Sequence, residues 1–347
     1  MKKLPLILSL VVMLVGLGQA MACTRVLHVT KDRQYVITGR SMDWYVRYPT
    51  TIWKFSRGME RNGLTKSNPA RWVSKYGSVV VVQTASGQSA VTDGMNEKGL
   101  VANLLYLTET KYPERDARKQ GLASSIYLQF LFDNFATVKE AVDFLEKGKV
   151  QIVPVPIPDS EHLPTMHISI SDSTGDSAIL EFLEGKLVIH HSPDYQVMTN
   201  SPIFEKQLAL TAYWEEIGGN RFMPGTRNSP DRFVRASFYN KLLPEPKSYR
   251  EAISGVMSVM RNVSSPYGSP DKDKPNISST VWRTIADQKN LVYFFESTNN
   301  YGAVWVKFSD LDFRPGAPTK VFDADSLLVG DVAHKFTETE PLEYARP

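Results

Sequence analysis

The sequence contains one cysteine, Cys23, in 347 residues, so it cannot close an internal disulfide. Its stability has to come from a packed core. Histidine is also scarce: the six are His28, His162, His167, His190, His191 and His334, and none pairs at the helical spacing typical of a metal site. No metal is therefore expected. No Gly-x-Gly-x-x-Gly or phosphate-loop run occurs after residue 22, so no nucleotide cofactor is expected either. Charge of one sign is not in excess, with 40 Lys and Arg against 37 Asp and Glu, and Lys2 and Lys3 belong to the leader described next. A near-neutral remainder gives no reason to expect nucleic acid as a partner. No apolar run beyond the leader approaches the ~20 residues that span a bilayer, and there is no internal repeat, low-complexity tract or dividing linker.

What is present begins at the first residues. Lys2 and Lys3, an apolar stretch over 4–17 and the small residues Ala20 and Ala22 have the layout of a secretory signal peptide. Glycines at 16 and 18 interrupt the run, which argues against a membrane anchor. Residues 1–22 are expected to be removed, leaving 23–347 as one domain in the periplasm or outside the cell. Cys23 then becomes the first residue. A lone buried cysteine is ordinarily a small hydrophobe, but this one lies on the cleavage boundary.

An N-terminal cysteine has a free α-amine within reach of its own thiol. The amine titrates near ~7.7–8.0 and the thiol near ~8.5, so the amine can take the thiol proton at neutral pH. The thiolate can then attack an amide carbonyl and form a thioester that water hydrolyses. The rival reading is a non-catalytic lipoprotein anchored at Cys23, in which lipidation consumes both groups. Against it, Ala20 stands where a lipidation site carries leucine.

Short alternating or apolar runs at 35–38, 78–83 and 100–107, separated by Gly, Asn, Asp and Pro, predict antiparallel strands. Residues 122–134 read as a helix, and Thr137 with Glu140 forms a capping box for another that Gly148 ends. Strands return at 166–170, 177–182, 187–191 and 196–199. Ser229 and Pro230 suit the cap and first turn of a helix over 232–243, and Ser248 with Glu251 starts a further one. Strands at 279–286, 291–296 and 303–308 complete the pattern, and 266–275 reads as a surface loop. This order predicts an α+β fold with two antiparallel sheets and helices in the outer layers.

Arg40 and Asp43, in Gly39-Arg40-Ser41-Met42-Asp43-Trp44 after a strand, fit an active site or a surface ion pair. Asn96 reads as a hairpin-shaping residue, His190 and His191 as surface or packing residues on opposite faces of a strand, and Trp282 and Arg283 as core and surface.

Taken in order, Cys23, the Arg40-Ser41-Met42-Asp43-Trp44 run, Asp93-Gly94-Met95-Asn96-Glu97-Lys98-Gly99-Leu100, Thr199-Asn200-Ser201-Pro202 and Asp231-Arg232-Phe233-Val234-Arg235 resemble the choloylglycine hydrolase family. That family contains conjugated bile salt hydrolases and penicillin V acylases. The resemblance implies a four-layer αββα sandwich of the N-terminal-nucleophile hydrolases, needing no cofactor and acting on a small-molecule amide, with a homo-oligomer, a tetramer, as its assembly. It implies Cys23 as nucleophile, Asp43 orienting the amine, Arg40 beside the thiolate, Asn200 and Tyr106 as oxyanion donors, and Arg232 holding the charged centre. Arg235 could take that last role, and motif order favours Arg232. An aromatic at 106, where bile salt hydrolases carry Asn, resembles the penicillin V acylases. With Met42 and Trp44 it predicts a pocket for flat or apolar acyl groups, as in penicillin V or N-acyl homoserine lactones. The leader points to the exported, Gram-negative branch.

Overall fold

The computed structural model describes residues 23–157, 165–218, 222–268 and 278–347. The leader at 1–22, His162 and most of the loop at 266–275 lie outside the described residues.

The first strands are β1 (Thr24–Val29), β2 (Val36–Trp44) and β3 (Thr50–Phe55), then the small pair β4 (Glu60–Asn62) and β5 (Arg71–Val73). Next come β6 (Ser78–Ala85), β7 (Gln88–Asn96), β8 (Val101–Tyr106) and β9 (Gln120–Ala123). A 3-10 turn leads into α1 (Tyr127–Asn134), α2 (Val138–Leu145) and β10 (Val150–Val153). β11 (Met166–Ser171), β12 (Ser177–Leu183), β13 (Lys186–His191) and β14 (Val197–Met198) precede α3 (Phe204–Ile217), α4 (Ser229–Leu242) and α5 (Tyr249–Asn262). The last strands are β15 (Ser279–Asp287), β16 (Val292–Ser297), β17 (Val304–Lys307), β18 (Lys320–Asp323), β19 (Gly330–Asp331) and β20 (Thr337–Glu338).

Two large sheets result. One has seven strands in the order β14-β1-β2-β15-β16-β17-β19, and the other has nine in the order β13-β12-β11-β8-β7-β6-β3-β18-β20. Pairing is antiparallel in both except where β17 meets β19. The valine run of β6 shows why the pattern is apolar without a break. Val79 and Val81 turn into the core shared with the seven-stranded sheet, and Val80 and Val82 turn into the core under α1 and α2. Side chains alternate across a strand, so a sheet covered on both faces needs apolar residues at every position. Helices α4 and α5 cover β1, β2 and β15 on the outside, while α1 and α2 cover β7, β8 and β12. The layers are helix, sheet, sheet, helix, as the sequence leads one to expect.

Helix α5 comes close because Gly39 on β2 has no side chain: a Cβ there would stand 2.6 Å from Met260 Cγ. The caps at Thr137 and Ser248 form as read, each hydroxyl accepting from a main-chain N–H three residues on at 3.2 Å. Asn96 shapes its turn by accepting from the main-chain N–H groups of Lys98 and Leu100, both at 3.0 Å. It also ties the turn to α1, donating to the Phe132 and Phe135 carbonyls.

Two readings need correction. Residues 122–134 are not one helix, because Leu122 and Ala123 belong to β9 and pair in parallel with Ile152 and Val153 of β10. A continuous apolar run looks the same in a buried strand and a buried helix. Ser229 does not cap α4; the N-cap position is Asn228, whose side chain makes no capping bond, and Ser229 is already helical. Helix α3 was not expected at all. Its apolar residues are scattered around the axis, and only Phe204 and Gln207 are buried, so no stripe marks it in the sequence.

Candidate active site

Strands β1 and β2 pair with Thr24 opposite Ser41 and Arg25 opposite Arg40, which sets Cys23 beside Met42 and Asp43. Cys23 is 2% exposed. Its Sγ accepts from the Asp43 main-chain N–H at 3.5 Å and lies 3.8 Å from Met42 Sδ and 3.9 Å from Arg40 Nη2. Alternation along β2 divides the labour. Arg40, Met42 and Trp44 share one face and line a cleft between the sheets, whereas Asp43 is on the other face.

Arg40 is held from three directions. Its guanidinium stacks on the Trp282 ring with the central carbon 4.4 Å from the ring centre. Nη2 donates to the Leu104 carbonyl at 2.8 Å, and Nη1 is 3.7 Å from Asp93 Oδ2. Asp93 is held in turn by Asn103 Nδ2, Thr284 Oγ1 and the Tyr293 hydroxyl. Trp282 is core, as expected, yet its ring is also the platform for Arg40. Asp43 accepts the Thr280 hydroxyl at 2.5 Å on Oδ1, and its buried Oδ2 has no hydrogen-bond partner among the described residues.

Asn200 and Arg232 reach the same place from distant parts of the chain. Asn200 Oδ1 accepts from Cys23 N at 2.6 Å and from Arg232 Nη2 at 2.9 Å, while Nδ2 donates to the Tyr106 carbonyl at 2.7 Å. Arg232 Nη1 donates to the Cys23 carbonyl at 2.6 Å. Arg235 turns away and donates to the carbonyls of Pro224 and Thr226, so Arg232 is the arginine of this cluster. In an extended strand the N–H and C=O of one residue point to the same edge. The Tyr106 N–H therefore faces the edge from which Asn200 approaches, where β7 has parted from β8 beyond the Asp93–Asn103 pair.

Several supports gave no signal in the sequence. Ser229 Oγ accepts from Asn200 N at 2.8 Å, which is why that serine is not free to cap α4. Gln207 Nε2 donates to the Asn200 carbonyl at 3.0 Å. Glu181 accepts from Phe204 N at 3.1 Å, four residues past Asn200, and from His167 Nδ1 at 3.2 Å. His190 is a packing residue as read, with its Nε2 3.4 Å from Glu181. His191 points the other way, to Asp176.

Arg40, Asp43, Asp93 and Arg232 are all at most 1% exposed, two cations against two anions. Buried charges persist when they are paired. Burial pushes the Cys23 thiol up and Arg40 pulls it back, with Asp43 opposing that pull. Burial likewise pushes Asp43 up to about 6 against Arg232, the Thr280 hydroxyl, Arg283 and Arg40. For the Cys23 thiol, burial outweighs the pull of Arg40.

The cleft above Cys23 is walled by Met42, Trp44, Tyr48, Leu104, Tyr106 and Ile157, among others. The Trp44 and Tyr106 rings meet edge to face with centres 6.1 Å apart. Tyr48 and Ile157 belong to no motif and could not be assigned from the sequence.

Comparison with known proteins agrees with this geometry. A family model described as linear amide C–N hydrolases, choloylglycine hydrolase family, matches residues 23–328. A penicillin V acylase of Pectobacterium atrosepticum is 42% identical over 97% of this chain and 96% of its own. The solved structure of penicillin V acylase from Agrobacterium tumefaciens has a TM-score of 0.86 and 44% identity, covering 94% of this chain and 100% of that one. A bile salt hydrolase/transferase of Clostridium perfringens is 24% identical over 80% of this chain and 90% of its own. This chain therefore belongs to the choloylglycine hydrolase family, whose members hydrolyse linear, non-peptide amide C–N bonds.

Proposed function

We propose that the mature protein starts at Cys23, outside the cytoplasm, and hydrolyses the acyl amide of penicillin V or of N-acyl homoserine lactones with the Cys23 thiol as nucleophile. The observation that carries this reading is that Cys23 presents Sγ to an apolar cleft while its nitrogen is held 2.6 Å from Asn200 Oδ1. Removal of residues 1–22 would turn that nitrogen into an amine in place. The amine takes the thiol proton, and the thiolate attacks the carbonyl carbon. The oxygen then becomes an oxyanion facing the second Nδ2 hydrogen of Asn200 and the Tyr106 N–H. The ammonium returns its proton to the leaving nitrogen as the C–N bond breaks. Water, activated by the same amine, hydrolyses the thioester and frees the acid. The aromatic and methionine walls favour a flat or apolar acyl group over a rigid steroid.

The test is a substrate panel on exported protein of known mass. The expected mass is that of residues 23–347 without a lipid. The expected activity is greater on penicillin V and acyl homoserine lactones than on glycocholate. A clear preference for glycocholate overturns the substrate class, and a lipid adduct overturns the catalytic role of Cys23.

Asp43 adds a pH signature. A carboxyl raised from 3.8 to about 6 binds its proton more tightly folded than unfolded. Its charge therefore costs stability above about pH 6, and the cost fades as the pH falls toward the unfolded value. At 1.36 kcal/mol per unit the full cost is about 3 kcal/mol, roughly half of it recovered by about pH 5. An α-ammonium would give Asp43 Oδ2 a partner and remove much of that cost. Protein retaining Ala22 should therefore gain stability relative to trimmed protein as the pH is lowered from neutral to about 5, measured by thermal unfolding. A difference between the two forms that does not change with pH would separate Asp43 from the amine.

A further inference from the structure

The wall of the cleft farthest from Cys23 is completed by residues beyond the stretch that matches the family model. That match ends at 328, whereas Ala345 lines the cleft. Residues 343–345 run parallel to β7 at Ser89. Ser89 N donates to the Glu343 carbonyl at 3.0 Å, and Ala345 N donates to the Ser89 carbonyl at 2.9 Å. Ser125 Oγ closes the third side with a 2.6 Å bond to the Ala345 carbonyl. Tyr344, between them, points away from the cleft, and its hydroxyl accepts from Arg61 Nη1 at 3.3 Å. Arg61 is itself paired with buried Asp133 at 2.9 Å. The segment is thus fixed to the nine-stranded sheet on one side and to the start of α1 on the other.

Its position along the cleft follows from β7. Asp93 stands beside Arg40 at the nucleophile, and Ser89 is four residues back along the strand. A bulge at Thr92 sets Val81 opposite Asp93 and Thr84 opposite Ser89, so the span is three residues of β6, about 10 Å at ~3.3 Å per residue. Small residues line this end, Ala85, Ser89, Ala90, Ser124, Ser125 and Ala345, with Gln83 and Gln88 beside them. Small side chains at this end leave space that a larger residue would block.

We infer that residues 343–345 gauge the length of the acyl group, with Ala345 setting how far an alkyl chain can extend from the carbonyl at Cys23. This rests on the proposed attack of Cys23 on an acyl amide. A long-chain acyl group lies along β7 and ends against Ala345. Each methylene buried there adds about fourfold to binding. A larger side chain at 345 occupies the space of the last methylenes and leaves the carbonyl end untouched.

The experiment compares kcat/KM for N-dodecanoyl homoserine lactone with that for penicillin V, in the parent and in Ala345→Phe and Ala345→Val. The ratio of long to short substrate should fall at least about tenfold in the Phe variant and about threefold in the Val variant. A ratio within about twofold of the parent's in both variants overturns the gauge. So does an equal loss on both substrates in folded protein, because that reports a structural fault. If Ala345→Phe does not fold, the Val variant decides by the same criterion. A parent that hydrolyses neither amide sinks the proposed substrate class, whereas an unchanged ratio in an active enzyme sinks the gauge alone.

Discussion

Cys23→Ala should abolish hydrolysis of penicillin V, by at least about 10³-fold in kcat/KM, in a protein that still folds. The fold should tolerate the change because Sγ makes only contacts of 3.5 Å or longer. The activity should not, because the sequence holds no second thiol. A companion variant isolates the base from the thiol. Protein retaining Ala22 keeps the sulfur, Arg40 and the Asp43 N–H, and Cys23 N is already bonded to Asn200 Oδ1 at 2.6 Å with the preceding residue attached. Only the amine is missing. Since burial raises the thiol, little thiolate forms without that base, and alkylation by iodoacetamide at neutral pH should slow along with hydrolysis. Retained activity in Cys23→Ala would end the proposal. Activity lost in Cys23→Ala but kept with Ala22 attached would leave the thiol and discard the amine.

Asn200→Ala should lower kcat by about 10²- to 10³-fold, with a much smaller change in KM. The asymmetry is expected because the oxyanion exists only after attack, so its donor acts on the transition state more than on bound substrate. Some of the loss has another origin. Asn200 Oδ1 also accepts from Cys23 N and Arg232 Nη2, and alanine leaves both donors without that acceptor. Ser229→Ala separates the two effects. It removes the hydroxyl that accepts from Asn200 N and leaves the side-chain amide present, so it should cost far less than Asn200→Ala. A fall in kcat below about tenfold in Asn200→Ala would mean that the oxyanion is held elsewhere.

Much of this enzyme was legible from local chemistry. Cys23 stood out because it is the lone cysteine and follows a stretch that reads as a leader. The strands and the caps at Thr137 and Ser248 followed from alternation and from side-chain hydrogen bonds that reach only three residues. Arg40 and Asp43 stood out because an arginine, an aspartate and two large apolar residues crowd one strand end, and the resemblance gave them their roles. By contrast, α3 left no apolar stripe to read, and the strand hidden in 122–134 had no period that distinguishes it from a helix. The serine at 229 was misread because its hydroxyl is bonded to a residue 29 positions earlier.

By itself, then, the sequence singled out Cys23 as the residue to test, most of the strands and helices, and which side chains share a face within a strand. The tertiary structure decided what those faces meet. Pairing of β2 with β15 puts Trp282 under Arg40. The parting of β7 from β8 opens the cleft edge at Tyr106, and residues 343–345 close the far wall. A period of two residues is set by backbone geometry within one strand. The choice of neighbouring strand is set by burial summed over both sheets, and no local pattern carries it.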